Sequence, residues 1–222
     1  MIKDYMRNKD FSKRYIELMI SRLTSASVRF ETVDDSTRVN NALMYEANME
    51  ALKYLYFSNT ERIDPKVLND LAYIINGSMY DYGFRKINVM VEGSEVERTD
   101  AKNIYYQIYS LIENYEKVWV DLDPYLREAL FHIIFLRIHP YEDGNGRIAR
   151  IITSYNLMKL GLAPAIITPH EKNDYNNCIE NYEPEVLAEM IRNLSNDESL
   201  AIKQLYNKYY PDDYAKILSR QS

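Results

Sequence analysis

Cysteine is nearly absent from this chain: Cys178 is the only one in 222 residues. A single thiol cannot close an internal disulfide, so the fold has to rest on its core. A reducing cytoplasm is the expected setting. Long apolar runs are missing too. The longest, Ala129–Ile138, is interrupted by His132 and Arg137 and is too short to span a bilayer. The start, Met1-Ile-Lys-Asp-Tyr-Met-Arg-Asn-Lys-Asp10, is charged and does not read as a Sec-type signal peptide. There is no excess of basic charge. With 27 Lys and Arg against 33 Asp and Glu, the formal net charge is -6. That balance argues against nucleic acid or an anionic membrane as the main partner. Any phosphate site must be a local basic spot. Internal repeats and low-complexity segments are also lacking.

What is present is ordinary material for one filled core: 46% hydrophobic and 27% charged residues. Tyrosine is abundant, with 21 residues, and suits positions that need bulk inside and a polar tip outside. The patterning is mostly helical. Phe11, Tyr15, Ile16, Met19, Ile20 and Leu23 recur at helical spacing from Asp10 onward. Residues 24–36 are poor in periodicity and read as a break before a second helix from Ser36 to Phe57. Asp64-Pro65 and Asp123-Pro124 each place a cap before a proline at the first helical position. The helix after Asp123 is apolar nearly all round and should be central and buried. Another helix is expected from Asn145 to Leu160, closed by Gly161. Pro184 and Pro211 mark breaks among the last helices. The one strand-like passage, Ile87-Asn-Val-Met-Val91 with a turn at Glu92-Gly93-Ser94, predicts a short hairpin over 87–98. Thr99 then caps a helix to about Tyr115. The expected organisation is N-terminal helices over residues 1–60, a core over 61–195 and a C-terminal helical extension over 196–222.

The chemistry concentrates in His139-Pro-Tyr-Glu-Asp-Gly-Asn-Gly-Arg-Ile-Ala-Arg150. A buried helix ends there, a short loop follows, and a second helix opens with Arg147 and Arg150 on one face. Gly144 and Gly146 permit backbone shapes closed to other residues, so nearby N–H groups can converge at a helix N-terminus, where anions bind. The two arginines suit phosphate oxygens. Asp143 is a hard oxygen ligand suited to Mg²⁺ against phosphates. His139 exchanges a proton near neutral pH. An EF-hand reading of Asp143–Gly146 fails, because Tyr141 and Ile152 would fall where carboxylates are required. His132, on the buried helix, reads as a satisfied core histidine, and His170 as a surface residue.

This stretch resembles the signature of the Fic family, His-x-Phe-x-(Asp/Glu)-Gly-Asn-Gly-Arg-x-x-Arg, at seven of its eight specified positions. Tyr141 stands where phenylalanine is usual. The resemblance, which extends over about residues 20–195, implies a mainly α, Fic-type helical bundle with a short β-hairpin flap. It implies a protein adenylyltransferase that moves AMP from ATP to a Ser, Thr or Tyr hydroxyl of a target protein. His139 would be the general base and Asp143 the Mg²⁺ ligand. Gly144, Asn145 and Gly146 would line an anion hole, and Arg147 and Arg150 would hold the distal phosphates. Tyr175 falls where relatives place a nucleobase-pocket tyrosine, and core packing explains it equally well. The flap, at Val89, Met90, Val91, Glu92 and Gly93, would hold the target segment by strand addition. A homodimer is compatible with the resemblance.

Many Fic proteins also carry an inhibitory (Ser/Thr)-x-x-x-Glu-(Gly/Asn) pattern, whose glutamate pairs with the second signature arginine. Ser27-Val-Arg-Phe-Glu31 fits its core, with Thr32 departing at the last position. Glu31 would then restrain Arg150. Glu46 is a poorer second candidate, since Ala42 takes the Ser/Thr position. Two alternatives share the fold: a different donor or the removal of AMP, and a nucleotide-binding regulator without turnover.

Overall fold

A computed structural model describes residues 2–31, 38–58, 60, 62–91 and 93–220. Its helices are α1 (Lys3–Met6), α2 (Lys9–Glu31), α3 (Arg38–Phe57), α4 (Pro65–Asn76), α5 (Ile104–Glu113), α6 (Pro124–Ile138), α7 (Asn145–Lys159), α8 (Lys172–Asn181), α9 (Pro184–Tyr209) and α10 (Pro211–Ser219). The mainly α class is as the periodicity predicted. Helix α6 is the axis. Ala129, Phe131, Ile133, Phe135 and Leu136 are all buried, with α5, α7, α8 and α9 packed around them. Both Asp-Pro starts behave as read. Asp64 accepts the Val67 N–H at 2.8 Å, and Asp123 accepts the Tyr125 and Leu126 N–H groups at 3.1 and 3.2 Å. Pro184 and Pro211 do not merely interrupt helices; they open α9 and α10. One continuous core runs from Ile2 to Tyr206, so the chain's early and late helices share it.

Three expectations change. Helix α2 does not stop near Leu23 but runs to Glu31. Serine and threonine cost a helix roughly 0.5 kcal/mol each. Burial of Thr24, Ala26, Ser27, Val28 and Phe30 against neighbouring elements outweighs that. Lys172 also donates to the Phe30 carbonyl at 2.7 Å, placing a cation on the helix's C-terminal end. The consequence is positional: Ser27 and Glu31, four apart, now share a helical face.

Thr99 is not a helix cap. Its carbonyl accepts from Arg85, and Asn88 Oδ1 takes the Ala101 N–H at 2.8 Å instead. A tight turn at Ala101–Asn103 leads into α5, and a wider turn at Asn114–Val118 carries the helix past Tyr115.

Among the described residues, 87–98 forms no strand ladder. The reversal itself is present: Ser94 N–H donates to the Val91 carbonyl at 3.1 Å, around Gly93 with φ 76°. A lone two-stranded hairpin is marginal without a surface to lean on. Here Ile87 and Met90 face outward, at 62% and 98% exposure. Ser94 Oγ takes the Val96 N–H at 3.3 Å, so a side chain serves one limb where a cross-strand bond would.

Candidate active site

Helix α6 ends at His139, whose backbone is left-handed, with φ 53° and ψ 63°. That conformation is costly for any residue but glycine. Two contacts hold it: His139 N–H donates to the Phe135 carbonyl at 3.0 Å, and Arg85 Nε donates to the His139 carbonyl at 2.7 Å. Arg85 also donates to the carbonyls of Ile87, Thr99 and Ile138, and its own N–H reaches Pro140 O at 2.9 Å. Only 3% of Arg85 is exposed. The sequence reading passed over this residue. Its signal was an arginine between Phe84 and a strand-like run, where a surface cation has no reason to be.

The next residues form a closed loop. Asn145 accepts the Tyr141 N–H at 3.1 Å and donates to the Tyr141 carbonyl at 2.8 Å. Its side chain therefore ties the loop instead of facing a ligand. Tyr141 is buried against Phe84 and Phe135, and its hydroxyl donates to Asn69 at 3.0 Å. The hydroxyl that departs from the signature has found a partner. Gly144, at φ 81°, sits so close to α4 that a Cβ there would stand 2.9 Å from Ile75 Cγ2. Asn76 adds a hydrogen bond to the Asp143 carbonyl at 2.9 Å.

Helix α7 begins at this loop with no side chain capping it. Its leading N–H groups carry the partial positive charge of a helix N-terminus. Arg147 and Arg150 are both buried, at 5% and 4% exposure. Arg147 pairs with Asp143 at 2.7 Å, and the other Asp143 oxygen accepts its neighbour's Gly144 N–H at 2.6 Å. Arg150 donates to Glu31 at 2.5 Å and to Ser27 Oγ at 3.1 and 3.3 Å. Its guanidinium also lies 4.4 Å over the Phe30 ring. Three residues of α2, namely Ser27, Phe30 and Glu31, thus surround one arginine. Glu46 is exposed, and no contact joins it to Arg150 among the described residues.

Burial first, then the cations of Arg98 and Arg85, push the His139 imidazole down to about 4. At neutral pH it is the free base and can accept a proton. His132 is buried between Thr153 Oγ1 at 2.8 Å and the Tyr175 hydroxyl at 2.7 Å. Burial, then Arg150, lowers it to about 3, so it is neutral. Tyr175 is pushed up to about 12, mainly by burial, and stands edge-on to Phe30 at 5.1 Å. Tyr175 therefore packs in the core while flanking the Phe30–Arg150 stack. Val89 and Val91 are partly buried, Met90 and Gly93 are exposed, and Glu92 lies outside the described residues. His170 is exposed. No helix among the described residues is long and apolar enough to cross a membrane.

Residues 62–157 match the Fic/DOC family. A stretch of 54 residues is 43% identical to the protein adenylyltransferase Fic of Nematostella vectensis, covering 24% of this chain and 13% of that protein. The chain therefore spans only a small part of the curated relatives it matches. The fold is similar to a Fic domain-containing signalling protein from Bacteroides thetaiotaomicron, with a TM-score of 0.67 and 18% identity over 88% of this chain and 87% of that one. It is likewise similar to Fic-1 from C. elegans, with a TM-score of 0.68 and 15% identity over 91% and 69% of the two chains.

Proposed function

From the Fic/DOC-family domain that this chain carries at residues 62–157, we infer that it is a protein adenylyltransferase, moving AMP from ATP to a hydroxyl of another protein. The observation that carries the reading is the turn between α6 and α7. A neutral imidazole stands at one end, an uncapped helix N-terminus in the middle, and two buried arginines on the following face. Residues 61–195 would hold this catalytic core, residues 1–60 the restraint described below, and 196–222 an extension.

In the reaction, the target hydroxyl gives its proton to His139 as its oxygen attacks the α-phosphorus, and pyrophosphate leaves. The α7 N–H groups and Arg147 and Arg150 spread the phosphate charge. Asn145 contributes by holding the loop in shape, and its backbone N–H is the part available to phosphate. Gly146 keeps the groove open, since a Cβ there would stand 3.1 Å from Arg150 Nη1. A magnesium ion fits the donor set: one hard carboxylate, Asp143, sits partly exposed beside the helix end, and such ions take most of their remaining ligands from phosphate and water. Bound there, it would neutralise phosphate charge. Asp143 would have to release Arg147 to serve it.

Glu31 supports the restrained form of this reading. A carboxylate already occupies the Arg150 end of the groove, 3.3 Å from where a Gly146 Cβ would lie. A triphosphate must displace it to reach Arg150. Incubation with ATP and Mg²⁺ followed by mass spectrometry tests the proposal. Added AMP on protein should rise in Glu31→Gly and vanish in Glu31→Gly/His139→Ala. Transfer that survives loss of His139 would remove the assigned base.

A further inference from the structure

Arg98 lies on the return limb of the 87–98 segment, and its side chain is only 4% exposed. Nη2 donates to Ser94 Oγ at 2.5 Å. The Glu180 carboxylate forms an ion pair with Nη2 at 3.6 Å, and Ser94 Oγ lies 2.7 and 2.9 Å from its two oxygens. Nε and Nη1 of Arg98 have no hydrogen-bond partner among the described residues. Buried guanidinium N–H groups without acceptors are costly, because a charged group has lost its water. The Glu180 carboxylate relieves this only in part, because it faces Nη2 and leaves the other two nitrogens unserved, and Arg137 works against it. Arg137 donates to the Ile179 and Glu180 carbonyls at 3.0 and 3.3 Å, on the same side of α8, and Arg85 is spent on backbone carbonyls. Among the charges that act on the His139 imidazole, Arg98 is the strongest, followed by Arg85, with Asp143 opposing them. The phosphate groove lies elsewhere, along α7, where Arg147 and Arg150 are already paired.

We propose that Arg98 is a specificity-determining residue that holds a carboxylate of the target protein beside the hydroxyl presented to His139. This rests on the adenylyl-transfer reading above. Its basis is one buried cation with two unpaired donors, on the segment where a target strand would lie, next to the base. An acidic side chain close to the acceptor, reaching the guanidinium as the 87–98 segment moves aside to take the target strand, would satisfy those donors and fix the hydroxyl's distance from His139. A neutral target would leave them unpaired. Discrimination by unpaired buried groups of this kind is typically at least about tenfold.

The test uses the full chain carrying Glu31→Gly and short fluorescent peptides. Each has a central Ser, Thr or Tyr flanked by Asp and Glu, or by Asn and Gln. Both binding, by anisotropy, and AMP addition, by mass spectrometry, are measured. The acidic set should be preferred about tenfold or more in kcat/KM and in binding. Adding Arg98→Gln should reduce that ratio below about twofold, and Arg98→Lys should recover part of it. The proposal falls if the peptides are not discriminated, or if the ratio survives Arg98→Gln. It also falls if Arg98→Gln raises the KM for ATP and leaves the peptide ratio intact, which would make the anion the nucleotide's. If no peptide and no protein gains AMP, the adenylyl-transfer reading fails, while the binding ratio still decides the role of Arg98.

Discussion

On the adenylyl-transfer reading, Gly146 is the point where the Glu31 carboxylate and a bound phosphate would compete for one place. A Cβ there would meet Arg150 Nη1 at 3.1 Å and Glu31 Oε1 at 3.3 Å, so the ion pair rests almost on the backbone of the first turn of α7. The Glu31 side chain is 37% exposed, while that of Arg150 is buried. The buried partner keeps Ser27 and the Phe30 ring when the glutamate leaves, so displacement does not strand the arginine. A hydrogen bond to a charged group is worth about 1.5–3 kcal/mol. Glu31→Gly should therefore tighten ATP binding and raise AMP transfer by roughly tenfold or more, read by calorimetry and by mass spectrometry. Gly144 makes a different demand. Its φ of 81° and its contact with Ile75 leave no room for a side chain. Gly144→Ala should cost at least ~2 kcal/mol in strain and crowding, lowering the melting temperature by several degrees. It should also weaken ATP binding, because the loop that opens α7 must shift.

At the scale of elements, the site is a joint between α7 and the end of α2. Lys172 from α8 donates to the Phe30 carbonyl at 2.7 Å and lies 5.3 Å over the Phe30 ring. Phe30 is held between two cations and the edge of Tyr175. This stack sets where Glu31 points. Lys172→Met should loosen the last turn of α2 and raise AMP transfer, but by less than Glu31→Gly, because the carboxylate remains. Equal activation by the two variants would mean that the α2 end, and not the carboxylate, is the obstacle. Helix α2 is also where sequence reading fell short. Thr24, Ser25 and Ser27 are poor helix formers in isolation, and only the neighbouring elements show why they are helical. The 87–98 segment erred in the opposite direction. Its alternation is real, but alternation does not supply the surface that a hairpin needs.

Across the whole molecule, burial sets the protonation states on which folding depends. His139 and His132 are held down to about 4 and about 3, against 6.5 for an ordinary imidazole. The unfolded chain therefore binds more protons below 6.5. The stability they contribute is complete above that pH and is lost as pH falls toward the folded values. Glu128 runs the other way. Burial pushes it up to about 7, against the hydrogen bonds from Tyr115 and Asn156 that pull it down. Its contribution is complete below about 4.5 and is lost as pH rises through about 7. Two imidazoles outweigh one carboxyl, so melting temperatures followed by circular dichroism should rise with pH up to about 6.5 and level off near 7. Glu128→Gln should steepen the rise between about pH 4.5 and 6.5, since the opposing carboxyl is gone. An unchanged rise in that variant would place its origin elsewhere.

The amino-acid order by itself determined the helical class, the two Asp-Pro starts and the turn from His139 to Arg150, because caps, prolines and glycines act through the backbone of adjacent residues. It also nominated Ser27 and Glu31, although it placed them in a loop. What only the tertiary structure decided are the long-range encounters. Ser27 lies 123 positions from Arg150 and meets it through the packing of α2 on α7. Arg85 binds the backbone of His139 across 54 positions. Arg98 is buried with donors to spare. Such contacts depend on which surfaces are pressed together, and no local spacing carries that information.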